Sequence, residues 1–441
     1  FGRLSDSEIV TPAHIADEMV AILPFEELNK KEDAKFLDIA SKQGEFTIAL
    51  YKRFGEKVKA RIYAIPTSTL AYEFTRKIYT LLCMPIENIY SDFNSYDLIG
   101  KNNEKIIKQL KDMNFDTIIS NPPYQTNDGG AGVSAKPLYN MFVDFAREIK
   151  PKRICMIMPA KWFTDGKGLG TFRESMFKDR RISKIFDFTD SRDCFTNVDI
   201  AGGVCYFLWD KKYEGDCEFI SIRNGERSVS VRNFATKEEF IRQTEAINIV
   251  EKVKDRTDLY FNSIVTSRKP FGLATNIKPM KTGNLTLKTN QGKGLYDETL
   301  IKVGRKMIPQ WKVIISRLSA EHAGQSDKEG RKKILSSLNM LEPYEICTET
   351  YLVFGSADTK EEADNIFRYA RTQFVRFMVS QLAATQQISK EKFALVPVQD
   401  FTSNSDIDWS KSIAEIDAQL YAKYSLSKEE IALIESMIKP M

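Results

Sequence analysis

Along the first half of the chain, short apolar runs alternate with segments whose apolar residues recur every three or four positions. KFLDIA (35–40), ARIYAI (60–65), ENIYSD (87–92), FDTIIS (115–120) and RICMIMPA (153–160) read as strands. Between them, EFTIALYKRF (45–54), STLAYEFTRKIYTLL (68–82), NEKIIKQLKDM (103–113) and PLYNMFVDFAREI (137–149) carry helical spacing. Such alternation predicts an α/β fold, a parallel sheet with helices on both faces. RISKIFDFTD (181–190) and GGVCYFLWD (202–210) are strand-like and closer together, as in an antiparallel addition at the sheet edge. Residues 223–240 are polar and read as a connection. Farther on, 359–382 reads as one long helix, and the tail ends in a helix opened by SLSKEE, a Ser cap followed by Glu.

In an open parallel sheet, ligands bind outside the carboxyl ends of the strands. The residues expected there are polar in a particular order. The first strand presents Asp38, then ASKQGEF with Gly44. The strand at 87–92 ends in Ser91-Asp92-Phe93, and the strand at 115–120 runs into Asn121-Pro122-Pro123-Tyr124. An acid after a strand is commonly a helix cap, so Asp38 or Asp92 alone says little. Two consecutive prolines must end the strand ladder, but ending it needs no tyrosine. From average composition, Asn-Pro-Pro-Tyr arises by chance in roughly one chain of this length in a thousand.

The chain has 441 residues, room for two or three domains, and begins with Phe1, which leaves residues upstream open. No apolar run approaches a membrane span. Six scattered cysteines without a C-x-x-C pair read as reduced residues of a cytoplasmic protein. With only two histidines, far apart, a His-based metal site or a Ser-His triad is not expected, and no metal ligands are assigned. Net charge is +4, but residues 268–333 hold 15 Lys and Arg against 5 Asp and Glu. Such a basic segment suits either a polyanion partner or a solvated lysine-rich surface. Within it, VGRKMIPQWKVIISRLS (303–319) interleaves Arg305, Lys306, Lys312 and Arg317 with apolar residues. Were the polyanion a nucleic acid, the two lysines would face phosphates and the two arginines base edges.

The order TPAHIADEMV, FLDIASKQGEF, SDF, NPPY resembles the γ-class amino-group DNA methyltransferases. MIMPAKWF, DFTDSRDCFTNVDIAGGVCYFLWD and QFVRFMVSQL are similar to methylase regions of bifunctional restriction–modification proteins. The resemblance implies a Rossmann-like S-adenosylmethionine-dependent catalytic domain (1–225), a C-terminal α+β target-recognition domain (226–400) and a helical tail (401–441). It implies S-adenosyl-L-methionine as cofactor, held by Thr11, Asp38, Gly44, Phe46, Asp92 and Phe93. Asn121, Pro122, Pro123 and Tyr124 would form the catalytic motif, with Tyr124 and Phe195 stacking on a flipped adenine. The partner implied is double-stranded DNA, with a nuclease domain or subunit outside this chain. Two departures stand out. The cofactor loop ASKQG keeps a single glycine, and no acid follows the second strand to hold the cofactor's ribose; YAIPTST offers only Thr67 and Ser68. Weak cofactor binding is one consequence, and a contact supplied from elsewhere is the other. Methyltransferases of RNA bases or of protein glutamine, and a DNA-recognition subunit with a degenerate cofactor site, stay open as alternatives.

Overall fold

The computed structural model describes residues 8–126, 136–164, 168–195, 198–200, 202–223, 225–235, 240–318, 331–335, 337–383 and 387–441. The chain divides into two compact units, residues 1–240 and 241–441.

The first unit is built on one eight-stranded sheet. Its strands are β1 (Phe36–Ser41), β2 (Ile62–Pro66), β3 (Thr117–Ser120), β4 (Arg153–Pro159), β5 (Ile182–Phe188), β6 (Val204–Asp210), β7 (Cys217–Arg223) and β8 (Glu226–Arg232), in the order β2-β1-β3-β4-β6-β5-β7-β8. β2, β1, β3 and β4 are mutually parallel. β1, β3 and β4 are buried along their whole length, as strands covered on both faces must be. Successive side chains alternate between two apolar layers. Phe36, Ile119, Cys155 and Ile157 face one, packed with residues of α1 (Ala13–Ala21), α3 (Glu45–Phe54) and α4 (Thr69–Leu81), while α2 (Phe25–Lys30) adds Leu28. Leu37, Ile118, Ile154 and Met156 face the other, with residues of α5 (Glu104–Asp112), α6 (Tyr139–Glu148) and α7 (Gly170–Lys178). At the amino ends of β3 and β4, Asp116 pairs with Arg153 (3.0 Å), Lys31 (2.7 Å) and Lys152 (3.0 Å).

The α/β alternation stands, with three local differences. The strand expected at 87–92 shrinks to one parallel bridge between Ile89 and Ala64, because a helical turn precedes it and the capped turn at Asn94 follows. β6 is interior, antiparallel to β4 on one side and to β5 on the other, rather than an edge addition; its apolar run VCYFLW needs cover on both faces. The polar connection at 223–240 contains β8, which pairs antiparallel with β7 and forms the outer edge, where exposed Val229 and Val231 alternate with polar residues.

In the second unit, α8 (Ile247–Lys254) precedes two small sheets. One has the order β10-β9-β13, from β9 (Leu285–Thr289), β10 (Gly292–Tyr296) and β13 (Glu345–Cys347). The other has β12-β11-β14, from β11 (Trp311–Ser316), β12 (Leu338–Leu341) and β14 (Tyr351–Ala357). The architecture is α+β, as expected. The long helix at 359–382 is two helices, α9 (Lys360–Arg371) and α10 (Gln373–Leu382). Thr372 adopts an extended ψ and caps α10, whose first two amides donate to the carboxylate of Asp417. Asp417 belongs to α11 (Ile413–Lys423), so the break is imposed from 44 residues away. Residues 401–441, including α12 (Lys428–Met437), are not a separate tail: Trp409, Ile416, Leu420, Ile434 and Met437 share one core with Phe374 and Phe377 of α10. All six cysteines are free and five are buried. Among the described residues, no helix is long and apolar enough to cross a membrane, and no cluster of three or more His, Cys, Asp or Glu is placed to hold a metal.

Candidate active site at the carboxyl ends of the sheet

β1 and β3 are adjacent, which brings Asp38 and the Asn-Pro-Pro-Tyr segment together. Asp38 Oδ1 accepts from Ser120 Oγ (2.7 Å) and from the Ala40 amide (3.0 Å). Its Oδ2 is buried with no hydrogen-bond partner among the described residues. Burial, reinforced by the charge of Glu45, pushes the Asp38 carboxyl up to about 7.

Asn121 is 1% exposed and its side chain is oriented without ambiguity. Nδ2 donates to the Ile9 carbonyl (2.9 Å) and to Thr11 Oγ1 (3.0 Å). A backbone carbonyl can only accept, so the amide nitrogen must face it. Oδ1 is then left buried and unpartnered among the described residues. Thr11 thus holds Asn121, and its own amide lies 3.4 Å from Glu45 Oε1, while Glu45 Oε2 accepts from the Gln43 amide (2.9 Å). Gly44 opens α3 with φ +68°, a left-handed conformation that suits glycine. Phe46 is buried in the apolar layer beneath.

Two charged residues that sequence reasoning missed belong here. Lys42 is fully buried, and its Nζ donates to the backbone carbonyl of Asn121. Burial lowers its pKa against the opposing fields of Glu45, Asp38 and Glu8. A lysine inside a loop depleted of glycine was the available signal. Glu8, 6% exposed, accepts from Thr67 Oγ1 (3.0 Å) and from the Tyr96 hydroxyl (2.9 Å). Nothing local in the sequence marks it.

Asp92 is exposed, with Ser91 Oγ 3.5 Å away, and Phe93 is half-buried against Tyr90, ring centroids 5.1 Å apart. Pro122 and Pro123 are buried. Tyr124 and Phe195 lie in the same apolar layer at 7% and 2% exposure. The Tyr124 hydroxyl lies beside the Asn121 side chain, and burial raises its pKa far above the ordinary value. Phe195 is placed as a core phenylalanine, held by its amide on the Ser191 carbonyl (2.7 Å).

Residues 31–195, which contain this arrangement apart from the 8–11 segment, match the Eco57I restriction-modification methylase family. An "Uncharacterized adenine-specific methylase" of Mycoplasma pneumoniae (strain M129) is 38% identical over 128 residues, 27% of this chain and 30% of that protein. The Type IIL restriction-modification enzyme MmeI, solved in complex with DNA, aligns with a TM-score of 0.50 at 11% identity, over 97% of this chain and 77% of that one. The type IIG restriction endonuclease BpuSI aligns with a TM-score of 0.46 at 13% identity, over 98% of this chain and 65% of that one. At such identities the structural likeness concerns the fold alone. This chain therefore spans 30% of the mycoplasma methylase and 65% of BpuSI.

Beyond residues 31–195, the four cations expected on DNA are not alike. Arg305 and Lys306 are exposed, although Arg305 Nη1 donates to the Ile301 carbonyl (3.0 Å). Arg317 is half-buried, its Nη1 3.4 Å from the Glu349 carbonyl. Lys312 cannot serve as a phosphate contact. It is fully buried, and its Nζ donates to the carbonyls of Gln310 (2.5 Å), Met307 (2.9 Å), Ile308 (3.2 Å) and Glu342 (3.3 Å). Burial brings its pKa down to about 8. Strand alternation turns Lys312 inward, and the loop carbonyls accept its charge. Residues 319–330 of the basic window lie outside the described residues.

Proposed function

We propose that this chain transfers a methyl group from S-adenosylmethionine to the exocyclic amino nitrogen of adenine in double-stranded DNA, as the modification activity of a restriction–modification system. The observation that carries this reading is the state of Asn121: its nitrogen is committed to Ile9 and Thr11, and its oxygen is a buried acceptor awaiting a donor. An unmet buried acceptor costs about 1–3 kcal/mol, a cost that a substrate N–H would relieve. An adenine amino group has two hydrogens to give, one for Asn121 Oδ1 and one for the carbonyl of Pro122. Two acceptors in that position draw the nitrogen lone pair out of conjugation with the ring and hold it in line for attack. No histidine base is required, because the surplus proton can leave to water after transfer. The residues therefore act by positioning and fixed electrostatics.

The cofactor, when bound, supplies an electrophilic methyl group on a sulfonium. The residues present fit it. Asp38 Oδ2 is a buried carboxylate oxygen without a partner among the described residues, suited to the ammonium of the methionine end. Phe93 and Asp92 are assigned to the adenine end, as ring contact and amino-group acceptor. Lys42 fixes the carbonyl of Asn121 and so ties the cofactor loop to the target loop. The target base must leave the duplex to reach this depth. Stacking on Tyr124 would uncover a ring that is now 7% exposed. In the second unit, Lys306 is assigned to phosphate, and Arg305 and Arg317 to base edges. A nuclease carried elsewhere in the same system completes the proposal.

The family match and the adenine-specific relative favour this reading over RNA or glutamine methylation. The test is tritiated methyl transfer from S-adenosylmethionine to duplex DNA, followed by sequencing of the modified bases. Cofactor bound without any transfer to duplex DNA would instead support a DNA-recognition subunit or another substrate.

A further inference from the structure

We infer that Glu8 receives the ribose hydroxyls of the cofactor, so that the acid missing after β2 is delivered from the segment that precedes the sheet. The inference rests on the methyltransferase reading. In doubly wound sheets, an acid near the end of the second strand commonly accepts from a ribose hydroxyl. Here β2 ends at Pro66 and is followed by Thr67 and Ser68, none of which can do so as a carboxylate. Glu8 fills that position in space. Its Oε2 accepts from Thr67 Oγ1 at 3.0 Å, and the Thr67 amide donates to the Ser41 carbonyl at 3.1 Å, fastening this point to the end of β1.

The surroundings of Glu8 do not suit a purely structural acid. The residue is 6% exposed, yet among the described residues no lysine or arginine comes within ion-pair distance, and its two donors are neutral hydroxyls. Burying a carboxylate on so little compensation is costly unless a ligand adds to it. The carboxylate has room for that ligand. It offers about four lone-pair sites, and Thr67 and Tyr96 take one on each oxygen. One site per oxygen remains, which matches two hydroxyls on neighbouring carbons.

The sheet order supplies the direction. β1 lies between β2 and β3, so Glu8 stands over one neighbour of β1 and Asn121 over the other. A cofactor lying across β1 would set its ribose at Glu8, its ammonium at Asp38 and its methyl toward Asn121. The field of Glu8 also reaches Lys42, the residue bonded to Asn121. Four consecutive residues, 8–11, thus reach both ends of the cleft: Glu8 at the ribose, Ile9 and Thr11 on the Asn121 amide.

The test is calorimetric binding of S-adenosylhomocysteine, and of its analogue lacking both ribose hydroxyls, to the wild-type chain and to Glu8→Gln. Wild type should bind the analogue roughly ten- to a hundredfold more weakly, the range for hydrogen bonds to a charged group. Glu8→Gln should lose a similar factor for S-adenosylhomocysteine and little for the analogue. Equal wild-type affinity for the two ligands overturns the inference, and that arm needs no variant to fold. So does a Glu8→Gln loss that is the same for both ligands, which would mark a role in folding only. Wild type that binds S-adenosylhomocysteine beside a Glu8→Gln variant of equal affinity refutes Glu8 alone. Wild type that binds neither ligand overturns the methyltransferase reading and the inference together.

Discussion

Raising the pH from about 6 to about 7.5 should tighten S-adenosylhomocysteine binding roughly eightfold, and Asp38→Asn should abolish that dependence. The reasoning starts from a carboxyl held up to about 7 by burial and by Glu45, with one oxygen unpartnered. A ligand ammonium binds the charged form. At pH 6 about one Asp38 in eleven is ionised, and at pH 7.5 about three in four, a roughly eightfold gain in competent protein. The ligand's ammonium sits beside its own carboxylate, which holds it above the peptide α-amino range, so it stays charged across this window and the gain stands. Binding at pH 6 should release close to one proton, counted by calorimetry in two buffers of different ionisation enthalpy. In Asp38→Asn the acceptor for Ser120 and Ala40 survives but the charge is gone, so affinity should be lower throughout and should no longer rise with pH. Without ligand the sign is opposite. The folded state keeps its proton up to about 7 whereas the unfolded chain loses it near the ordinary value of 3.8, so Asp38's contribution to stability is lost as the pH rises through that window. Wild-type affinity that is flat between the two pH values, or an Asp38→Asn profile that still rises, would refute the placement of the ammonium.

The remaining predictions concern single side chains. Asn121→Ala should lower tritiated methyl transfer by at least about a hundredfold, the scale for losing one preorganised polar contact at a reacting centre; it should also weaken cofactor binding, because the amide holds Ile9 and Thr11, and near-normal turnover would sink the role. Lys42→Met removes the donor to the Asn121 carbonyl while keeping side-chain length, so the transfer rate at saturating cofactor should fall more than S-adenosylhomocysteine affinity does; equal losses in both would argue for a merely structural lysine. Lys312→Ala should cost roughly 2–4 kcal/mol in urea unfolding, because four carbonyls lose a buried donor. Lys306→Ala should leave stability unchanged and lower the salt slope of DNA binding by about one; a slope unchanged in Lys306→Ala would remove this lysine from the interface.

The strand and helix alternation of the first half was legible because it depends on residues two to four positions apart. KFLDIA, FDTIIS and RICMIMPA became β1, β3 and β4 with ends shifted by one or two residues. The order of Asp38, Gly44 and Asn-Pro-Pro-Tyr was legible for a related reason: parallel strands place their carboxyl ends on one rim, whatever the details of packing. What tertiary structure decided is of longer range. Periodicity cannot show that VCYFLW pairs in the sheet interior, because a doubly covered strand and an apolar edge strand look alike in sequence. The helix at 359–382 breaks at Thr372 because an acid on α11 takes the amides of α10, and no helical propensity near Thr372 records that acid. Cation-rich spacing offered Lys306 and Lys312 as equals, and only the fold separates Lys306, exposed on the turn before β11, from Lys312, buried on β11 itself. Lys42 meets Asn121 across 79 residues, and Glu8 meets Thr67 across 59. Hydrophobic patterning selects the sheet and its helices, but the charges of the cleft are partnered through chain crossings that the sheet order creates, and those pairings exist only once β1, β2 and β3 lie side by side.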